Sequence, residues 1–346
     1  MTRVLIIGYR GGTHIGASLE RAQLPGVEIR LIDPRRRLDG PAWAKSLSWR
    51  LLGRRPLRLE AFGRELVEEC DRSRPDVLLT TGIAPAPASA LAELGRMGIA
   101  RANFLTDDPW NPVHRAPWFF SALRYYDFVF SPRKANLDEL RVATRALVGY
   151  VPFGYDPELF YPLELTAEER SALDSDVVFA GGADADRIPY FAALIRAGLK
   201  VALYGGYWDR YRETRAFARG MAEPALVRKA FCASRLGLCL VRRGNRDGHC
   251  MRTFEVPATG LCMLAEGTDE HREIFGEDGE AVALFDDIPE MVKKAVELVA
   301  DGDQRKRLAG RACRLVREGP NSYGDRLQAM LSAVTAGDTK GMLTSG

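Results

Sequence analysis

The chain of 346 residues lacks several features that define common protein classes. No apolar run approaches the roughly 18 residues that a membrane-spanning helix requires. The start MTRVLIIG has only a short apolar run before Gly8 and predicts a first strand rather than a signal peptide. The four histidines form no HxxxH motif and the six cysteines form no CxxC motif, so we predict no metal site. We expect reduced, mostly buried thiols in a cytoplasmic protein.

The overall composition is that of a globular protein. Hydrophobic residues make up 46% and charged residues 27% of the sequence. A chain of 346 residues is long enough for two domains that each have a core. We find no internal repeat and no long low-complexity segment.

Positive charge is concentrated near the N-terminus. Residues 1–60 contain twelve Arg and Lys against five Asp and Glu, a balance of +7, whereas the whole chain carries +3. In the segment Arg35–Arg58 the cations alternate with Trp43, Trp49 and leucines. Two interpretations stay open: peripheral contact with anionic lipid at the inner membrane face or with an anionic acceptor, or a solvated basic surface whose tryptophans pack on the core. No nucleic-acid-binding motif accompanies the charge, so we predict no nucleic-acid partner.

Predicted strands and helices alternate along the chain, which favours an α/β fold with parallel sheets. The helical patterns include Ala61–Arg72, Ala86–Arg96 and the tail Pro289–Thr335, and Val151–Leu165 resembles an interdomain linker. The predicted strands are Val4–Gly8, Glu28–Asp33, Asp76–Thr81, Ala102–Thr106, Asp127–Ser131, Ala146–Val151, Asp176–Ala180, Lys200–Tyr204, Leu236–Val241, Leu261–Ala265 and Ala281–Phe285.

The first predicted strand leads into a glycine-rich turn. Gly11 and Gly12 would let the backbone approach a phosphate or a sugar, and His14 is a candidate general base or donor-sugar contact. A surface histidine at a helix start is the alternative. Asp33 ends the second strand, where a dinucleotide fold carries its ribose acid, but the glycine spacing is not GxGxxG. An NAD-binding protein therefore remains a weaker hypothesis.

Asp107 and Asp108 follow a predicted strand, at the edge where α/β sheets bind ligands. Because adjacent side chains diverge, we expect one to contact a sugar or an acceptor and the other to cap a turn before Pro109. A metal site would need a third ligand, and none is nearby in the sequence.

Two strand ends in the second half suit a nucleotide. Gly181 and Gly182 open a turn and Arg187 opens a helix, a pattern that fits a donor diphosphate. Tyr204 and Gly205 follow the next strand and could line the pocket for the base. Simple helix capping by Asp184 or Asp186, and packing at the edge of the core, are the respective alternatives.

The densest polar cluster lies in RDGHCMRTFEVPATG and the residues just before it. A loop feeds a helix that carries a cation and a carboxylate, which together suit phosphates and sugar hydroxyls. A salt-bridged structural loop is the alternative. The candidate residues are Arg242, Arg243, Asn245, Asp247, His249, Arg252, Thr253 and Glu255.

Asp247 and Glu255, with seven residues between them, resemble the acid pair of many GT-B glycosyltransferases, which transfer sugar from a nucleotide-sugar. The sequences FLTDDPWNP, VPFGYDPELF, DVVFAGGADADRIPY and EHREIFGEDGEAV are similar to the CgeB-like (spore maturation protein-like) branch. The resemblance spans roughly residues 100–335. One departure is that the first acid is usually Glu in the broader families and is Asp247 here.

The resemblance implies a GT-B fold: two Rossmann-like parallel α/β domains with an interdomain cleft and a C-terminal helix that crosses back to the N-terminal domain. We expect an acceptor-side domain at residues 1–155, joined by helix 322–336, and a donor domain at residues 156–321. By this resemblance Asp247 and His249 face the donor sugar, Glu255 binds the ribose, and Arg252 offsets the diphosphate charge.

The expected reaction is a metal-independent sugar transfer that leans towards retention of configuration, with an unknown acceptor. No cofactor is expected besides a UDP-, GDP- or TDP-sugar as co-substrate. Two other functions stay open: a nucleotide-sugar epimerase on the same fold, and a non-catalytic nucleotide-binding protein of a spore or cell surface.

Overall fold

The computed structural model describes residues 1–11 and 15–339. The chain divides into two compact units. The N-terminal unit comprises Met1–Pro152, Arg243–Asp247 and the chain from Tyr323 onward, and the C-terminal unit comprises Phe153–Arg242 and Gly248–Ser322.

The N-terminal unit is built on a six-stranded parallel sheet in the order β2-β1-β3-β4-β5-β6. Its central strand Val77–Thr81 is buried along its whole length, and Phe62 and Leu66 of one covering helix face the core. The strands are β1 (Thr2–Ile7), β2 (Val27–Ile32), β3 (Val77–Thr81), β4 (Ala100–Phe104), β5 (Phe128–Ser131) and β6 (Leu147–Tyr150). The helices are α1 (Ile15–Arg21), α2 (Ala42–Leu51), α3 (Leu59–Ser73), α4 (Ala88–Arg96), α5 (Pro117–Leu123) and α6 (Leu137–Ala143).

The C-terminal unit contains a second six-stranded parallel sheet, in the order β12-β11-β10-β7-β8-β9. Phe179, Phe191 and Trp208 pack together in its core. The strands are β7 (Ser175–Ala180), β8 (Val201–Tyr204), β9 (Ala218–Gly220), β10 (Ser234–Cys239), β11 (Cys262–Glu266) and β12 (Ala283–Phe285). The helices are α7 (Ala167–Leu173), α8 (Ile188–Arg196), α9 (Pro224–Ala233), α10 (Met251–Ala258), α11 (Asp269–Phe275), α12 (Ile288–Ala300) and α13 (Gly302–Glu318).

The chain returns to the N-terminal unit at its end. Helix α14 (Tyr323–Ala336) belongs to that unit and contacts α1. The expected two parallel α/β sheets and the returning C-terminal helix are therefore confirmed. Within residues 1–11 and 15–339, no helix is both long and apolar enough to cross a membrane.

Each predicted strand overlaps an observed strand, but the short strand β9 was not predicted. Its three residues Ala218–Gly220 are largely exposed, so they carry no apolar pattern. The interpretation that the tryptophans of Arg35–Arg58 pack on the core was wrong, because Trp43 and Trp49 are 72% and 57% exposed.

Candidate functional site

The strand order of the C-terminal unit determines where a ligand would bind. Counted within the unit, the sheet has the order 3-2-1-4-5-6, and its connections change direction between β7 and β10. In open α/β sheets the crevice outside the carboxyl ends of two such strands is the usual ligand site. Here that edge is formed by the turn after Ala180 and the segment after Cys239.

Two glycines follow β7 at this edge of the sheet. A side chain on Gly181 would collide with the Phe179 ring at 2.8 Å, so glycine is required for packing. A Cβ on Gly182 would find nothing closer than the carbonyl oxygen of Gly206 at 3.8 Å, so space beside it is open. Gly182 can therefore present its backbone to a ligand.

Gly205 has a packing role that the sequence did not indicate. Its φ is +131°, and an added Cβ would lie 2.2 Å from the carbonyl oxygen of Gly181. The turns after β7 and β8 thus touch through their backbones. Gly205 supports the turn at Gly181 by allowing this approach. The adjacent Tyr204 is buried at the end of β8.

Arg187 stands at the start of α8 and is mostly buried. Its Nη1 donates to the carbonyl oxygen of Gly182 at 2.9 Å, and its guanidinium lies over the Phe179 ring at 5.2 Å. Asp184 lies 3.8 Å from Arg187 and 3.9 Å from the exposed Arg242, so one carboxylate faces two cations. No side chain caps α8, so neither Asp184 nor Asp186 is the helix cap.

Arg252 and Glu255 lie one turn apart on α10, and they form an ion pair. The Nε of Arg252 donates to the carbonyl oxygen of Ala180 at 2.7 Å, which places its guanidinium at the end of β7. Glu255 is only 4% exposed. Pro257 lies in the last turn of α10, close to where the helix ends. The structure therefore brings Arg187, Arg252 and Glu255 to the same strand edge.

Thr253 and His249 are fully buried, so the predicted ligand contacts are not available to them here. Thr253 Oγ1 accepts from the backbone N–H of Cys250 at 3.0 Å and lies 2.9 Å from Nε2 of His271. His249 Nε2 accepts the N–H of Phe153 at 3.0 Å, and its Nδ1 faces Glu270. Both side chains hold the start of α10 in place.

Glu266 and His271 were missed by the sequence analysis. Glu266, at the end of β11, accepts the N–H of Val241 at 2.6 Å and so fixes the segment after β10. His271 Nδ1 lies 2.7 Å from the carbonyl oxygen of Glu266. Burial lowers the pKa of His271 to about 4, so this histidine is neutral near pH 7. The position of Glu266 directly after a predicted strand was the only signal for it.

The segment Arg243–Asp247 groups with the N-terminal unit instead. Asp247 forms an ion pair with Arg133, and both side chains are almost completely buried. Asn245 accepts a hydrogen bond from Asn111 at 2.7 Å, and Arg243 is exposed. The predicted contact of Asp247 with a donor sugar would require this buried pair to open.

Arg246 was not among the predicted residues, yet it is the central cation of this segment. Its guanidinium donates to Asp108 at 2.7 Å and to Glu139 at 2.6 Å. The backbone of Arg246 has a positive φ of 54°. A non-glycine residue at such an angle is strained and persists only where surrounding contacts hold it.

The adjacent acids Asp107 and Asp108 diverge as expected. Asp108 accepts from the N–H of Trp110 at 3.0 Å, which closes the predicted turn before Pro109. Burial by itself raises the pKa of Asp108, but hydrogen bonds from Arg246, Trp110 and Asn136 outweigh it and hold the pKa below its ordinary value. Asp107 is 37% exposed and remains accessible.

The N-terminal turn is only partly described. Gly12 and His14, both predicted site residues, lie outside the described residues. A Cβ on Gly11 would lie 3.1 Å from Nη1 of Arg35. Asp33 accepts from the backbone N–H of Arg10 at 3.0 Å and pairs with Arg35. In an NAD-binding protein this carboxylate would be available to a ribose.

Within the described part of the chain, no three His, Cys, Asp or Glu side chains are grouped as metal ligands. The positive charge at the C-terminal strand edge comes from Arg187, Arg242 and Arg252.

Part of the chain matches a known protein family. Residues 187–332 match the family model described as glycosyl transferase-like. That segment includes Arg187, Arg252 and Glu255. No curated protein matches the sequence significantly.

Similar solved structures cover nearly the whole chain. Sucrose-phosphate synthase from Thermosynechococcus elongatus is 14% identical, with a TM-score of 0.66 over 97% of this chain and 99% of that chain. HepE of Anabaena, in complex with UDP and glucose, is 14% identical, with a TM-score of 0.64 over 97% and 100%. A Listeria monocytogenes protein assigned as a UDP-N-acetylglucosamine 2-epimerase is 13% identical, with a TM-score of 0.59 over 96% of each chain. The chain has the GT-B fold, and the family match together with this fold supports a glycosyltransferase.

Proposed function

We propose that the protein transfers a sugar from a nucleotide-sugar to an acceptor, and that the donor binds at the β7–β10 edge of the C-terminal unit. One observation carries the proposal: Arg187, Arg252 and Glu255 meet beside the open face of Gly182. That residue set lies in the segment that matches glycosyl transferase-like proteins. The complex of the Anabaena protein with UDP-glucose supports a UDP-sugar as the first donor to test.

The arginines would bind the diphosphate. A sugar–phosphate bond breaks with negative charge growing on the leaving diphosphate, and fixed cations stabilise that charge. Arg252 is held by the carbonyl oxygen of Ala180 and Arg187 by that of Gly182, so both are oriented before a ligand arrives. This preorganisation supports transfer without a metal ion.

Glu255 would accept hydrogen bonds from the ribose hydroxyls. A carboxylate has acceptor sites for two neighbouring hydroxyl groups and repels a second anion. Its ion pair with Arg252 orients it within an otherwise buried position. The donor would then lie with its ribose towards α10 and its diphosphate towards Gly182.

We propose retention of configuration, with the leaving phosphate taking the acceptor proton. In an inverting reaction a general base is needed. Asp107 is the stronger of the two adjacent candidates, because the carboxylate of Asp108 already accepts hydrogen bonds from Trp110, Asn136 and Arg246.

The motifs that resemble the CgeB-like branch support placing the protein in that branch. The six cysteines are not joined in disulfides, which fits the proposal of a reducing compartment such as the cytoplasm.

A nucleotide-sugar epimerase is the second candidate, since the Listeria protein shares the fold. An epimerase converts the donor without any acceptor. Incubating the protein with UDP-sugars alone, and following the sugar by NMR, separates the two functions. Conversion to an epimer would replace the proposed transfer.

The donor site is tested by titrating the protein calorimetrically with UDP, GDP and TDP. Gly182→Val fills the open space beside the backbone and should abolish nucleotide binding while the protein stays folded. Gly310→Val is the matched control, because a Cβ there meets only Nη1 of Arg314, at 3.7 Å. Unchanged nucleotide affinity in Gly182→Val would place the donor elsewhere.

Metal independence is tested on the same protein. Transfer should survive excess EDTA. Loss of activity that Mg²⁺ or Mn²⁺ restores would contradict the arginine-based mechanism.

A further inference from the structure

Helix α2 exposes an apolar stripe. Trp43, Leu47 and Leu51 follow one another at intervals of four residues and therefore lie on one face of the helix. They are 72%, 52% and 71% exposed. Leu52 and Leu57 extend the apolar surface past the end of the helix, at 61% and 40% exposure. Among the described residues, large apolar side chains are nowhere else exposed at this density along the sequence.

One residue of α2 and the segment that follows the helix are held by hydrogen bonds. Ser48 is 4% exposed, and its hydroxyl donates to the carbonyl oxygen of Arg55 at 2.6 Å. Arg54 donates to the carbonyl oxygen of Arg115 at 3.1 Å and lies 5.6 Å from the centre of the Trp49 ring. These contacts attach the C-terminal end of α2 to the N-terminal unit and leave the apolar stripe exposed.

Cations flank the stripe in the sequence. Residues 35–65 contain nine Arg and Lys against three Asp and Glu, a balance of +6. Arg35, Arg36, Arg37 and Arg58 are exposed. Some of these cations pair with acids on the adjacent helix α3, as Arg55 does with Glu60 and Arg37 with Glu65, and those pairs reach solvent. Exposed pairs contribute little stability and exchange partners readily.

We propose that α2 and the flanking segment 35–58 dock on an anionic lipid bilayer. Trp and Leu side chains on one helix face, with Arg and Lys around them, are the composition of a helix that lies in the plane of a membrane interface. Tryptophan suits the boundary between headgroups and acyl chains. The charge balance specifies anionic headgroups, which attract each nearby Arg or Lys. This surface is separate from the donor site, so the inference does not depend on the proposed function.

Vesicle co-sedimentation of the full-length protein tests the docking. Wild type should bind phosphatidylcholine vesicles that contain phosphatidylglycerol at least roughly tenfold more tightly than phosphatidylcholine alone, because of the anionic headgroups. Equal and negligible binding to both vesicle types would overturn the proposal.

Two sets of variants separate insertion from simple charge attraction. Trp43→Ser with Leu47→Ser and Leu51→Ser should lower binding to anionic vesicles roughly tenfold or more, since the apolar area supplies much of the affinity. The matched control changes exposed apolar residues elsewhere to serine: Val142, Val296 and Leu315. Unchanged vesicle binding by the α2 variant would show that the protein adsorbs by charge alone. That result would overturn the proposal that α2 docks on the bilayer.

The charge is tested by Arg36→Glu with Arg58→Glu, against the control Arg196→Glu with Arg212→Glu. Only the first pair of substitutions should remove the preference for anionic vesicles.

Insertion of the tryptophans is tested by fluorescence. Brominated lipids should quench tryptophan fluorescence, and Trp43→Phe should remove part of that quenching. A thermal midpoint and a circular dichroism spectrum equal to those of wild type show that each variant is folded.

A protein partner is a separate outcome. Wild type could fail to bind vesicles but self-associate in sedimentation velocity. If the α2 serine variant is then monomeric, the stripe is an interface between copies of the chain. That result would overturn the lipid docking.

Discussion

The two units have the same architecture but distribute charge differently at the carboxyl ends of their strands. In the N-terminal unit two of the acids have arginine partners, as Asp33 has Arg35 and Asp108 has Arg246. In the C-terminal unit the cations Arg187 and Arg252 also donate to backbone carbonyl oxygens, beside an open glycine.

The strand orders differ as well. The N-terminal sheet changes direction between β1 and β3, and the C-terminal sheet between β7 and β10. A change of direction therefore exists in both units, but only the C-terminal one combines it with oriented cations and free space among the described residues. The comparison therefore favours the C-terminal edge for the proposed donor site, because the pairing of charges differs between the units although the fold is shared.

The largest expected effect is a loss of stability in acid that is confined to the C-terminal unit. Burial lowers the pKa of His271 to about 4 from 6.5, so the unfolded chain takes up a proton at a higher pH than the folded one. The contribution of His271 to the stability of the C-terminal unit is fully present above pH 6.5 and should fall by about 3 kcal/mol as pH drops to 4. Hydrogen exchange, followed separately on peptides of each unit, measures it. His271→Gln should flatten the slope, and an unchanged slope would assign it to another group.

The next effect locates donor affinity in one unit. Arg252→Ala should weaken UDP binding by about 1.5–3 kcal/mol, since a charge-assisted contact to phosphate is lost. Arg10→Ala is the matched change in the N-terminal unit and should leave the affinity as it was. Calorimetric titration compares the two variants. Equal losses in both would remove the contrast between the units.

The smallest effect lies in the N-terminal unit at lower pH. Burial alone raises the pKa of Asp33, but hydrogen bonds from Arg35 and Arg10 dominate and lower the pKa to about 2. Its contribution is present above its unfolded pKa of 3.8 and is lost as pH falls towards 2. The loss should be small, because the pair reaches solvent. Asp33→Asn should abolish this step in acid unfolding while the step due to His271 persists.

Sequence patterns predicted the sheets well, because continuous apolar strands and amphipathic helices are local signals. They also placed Arg187, Arg252 and Glu255 on the correct elements. They could not show that Thr253 and His249 point inward, since a polar side chain beside a ligand and one in a buried network have the same sequence context. Nor could they assign Arg246 to Asp108, which is 138 residues away.

The contact between Gly205 and Gly181 has a consequence for redesign. The two turns contact each other directly through their backbones. Any side chain at Gly205 would therefore displace the carbonyl group of Gly181. A mutant library aimed at changing the donor sugar should therefore keep both glycines fixed and vary Gly206, where an added Cβ would have only Met221 within 4 Å, at 3.7 Å. Tyr207 is 56% exposed, but its φ of +73° means that it should be kept or replaced by glycine.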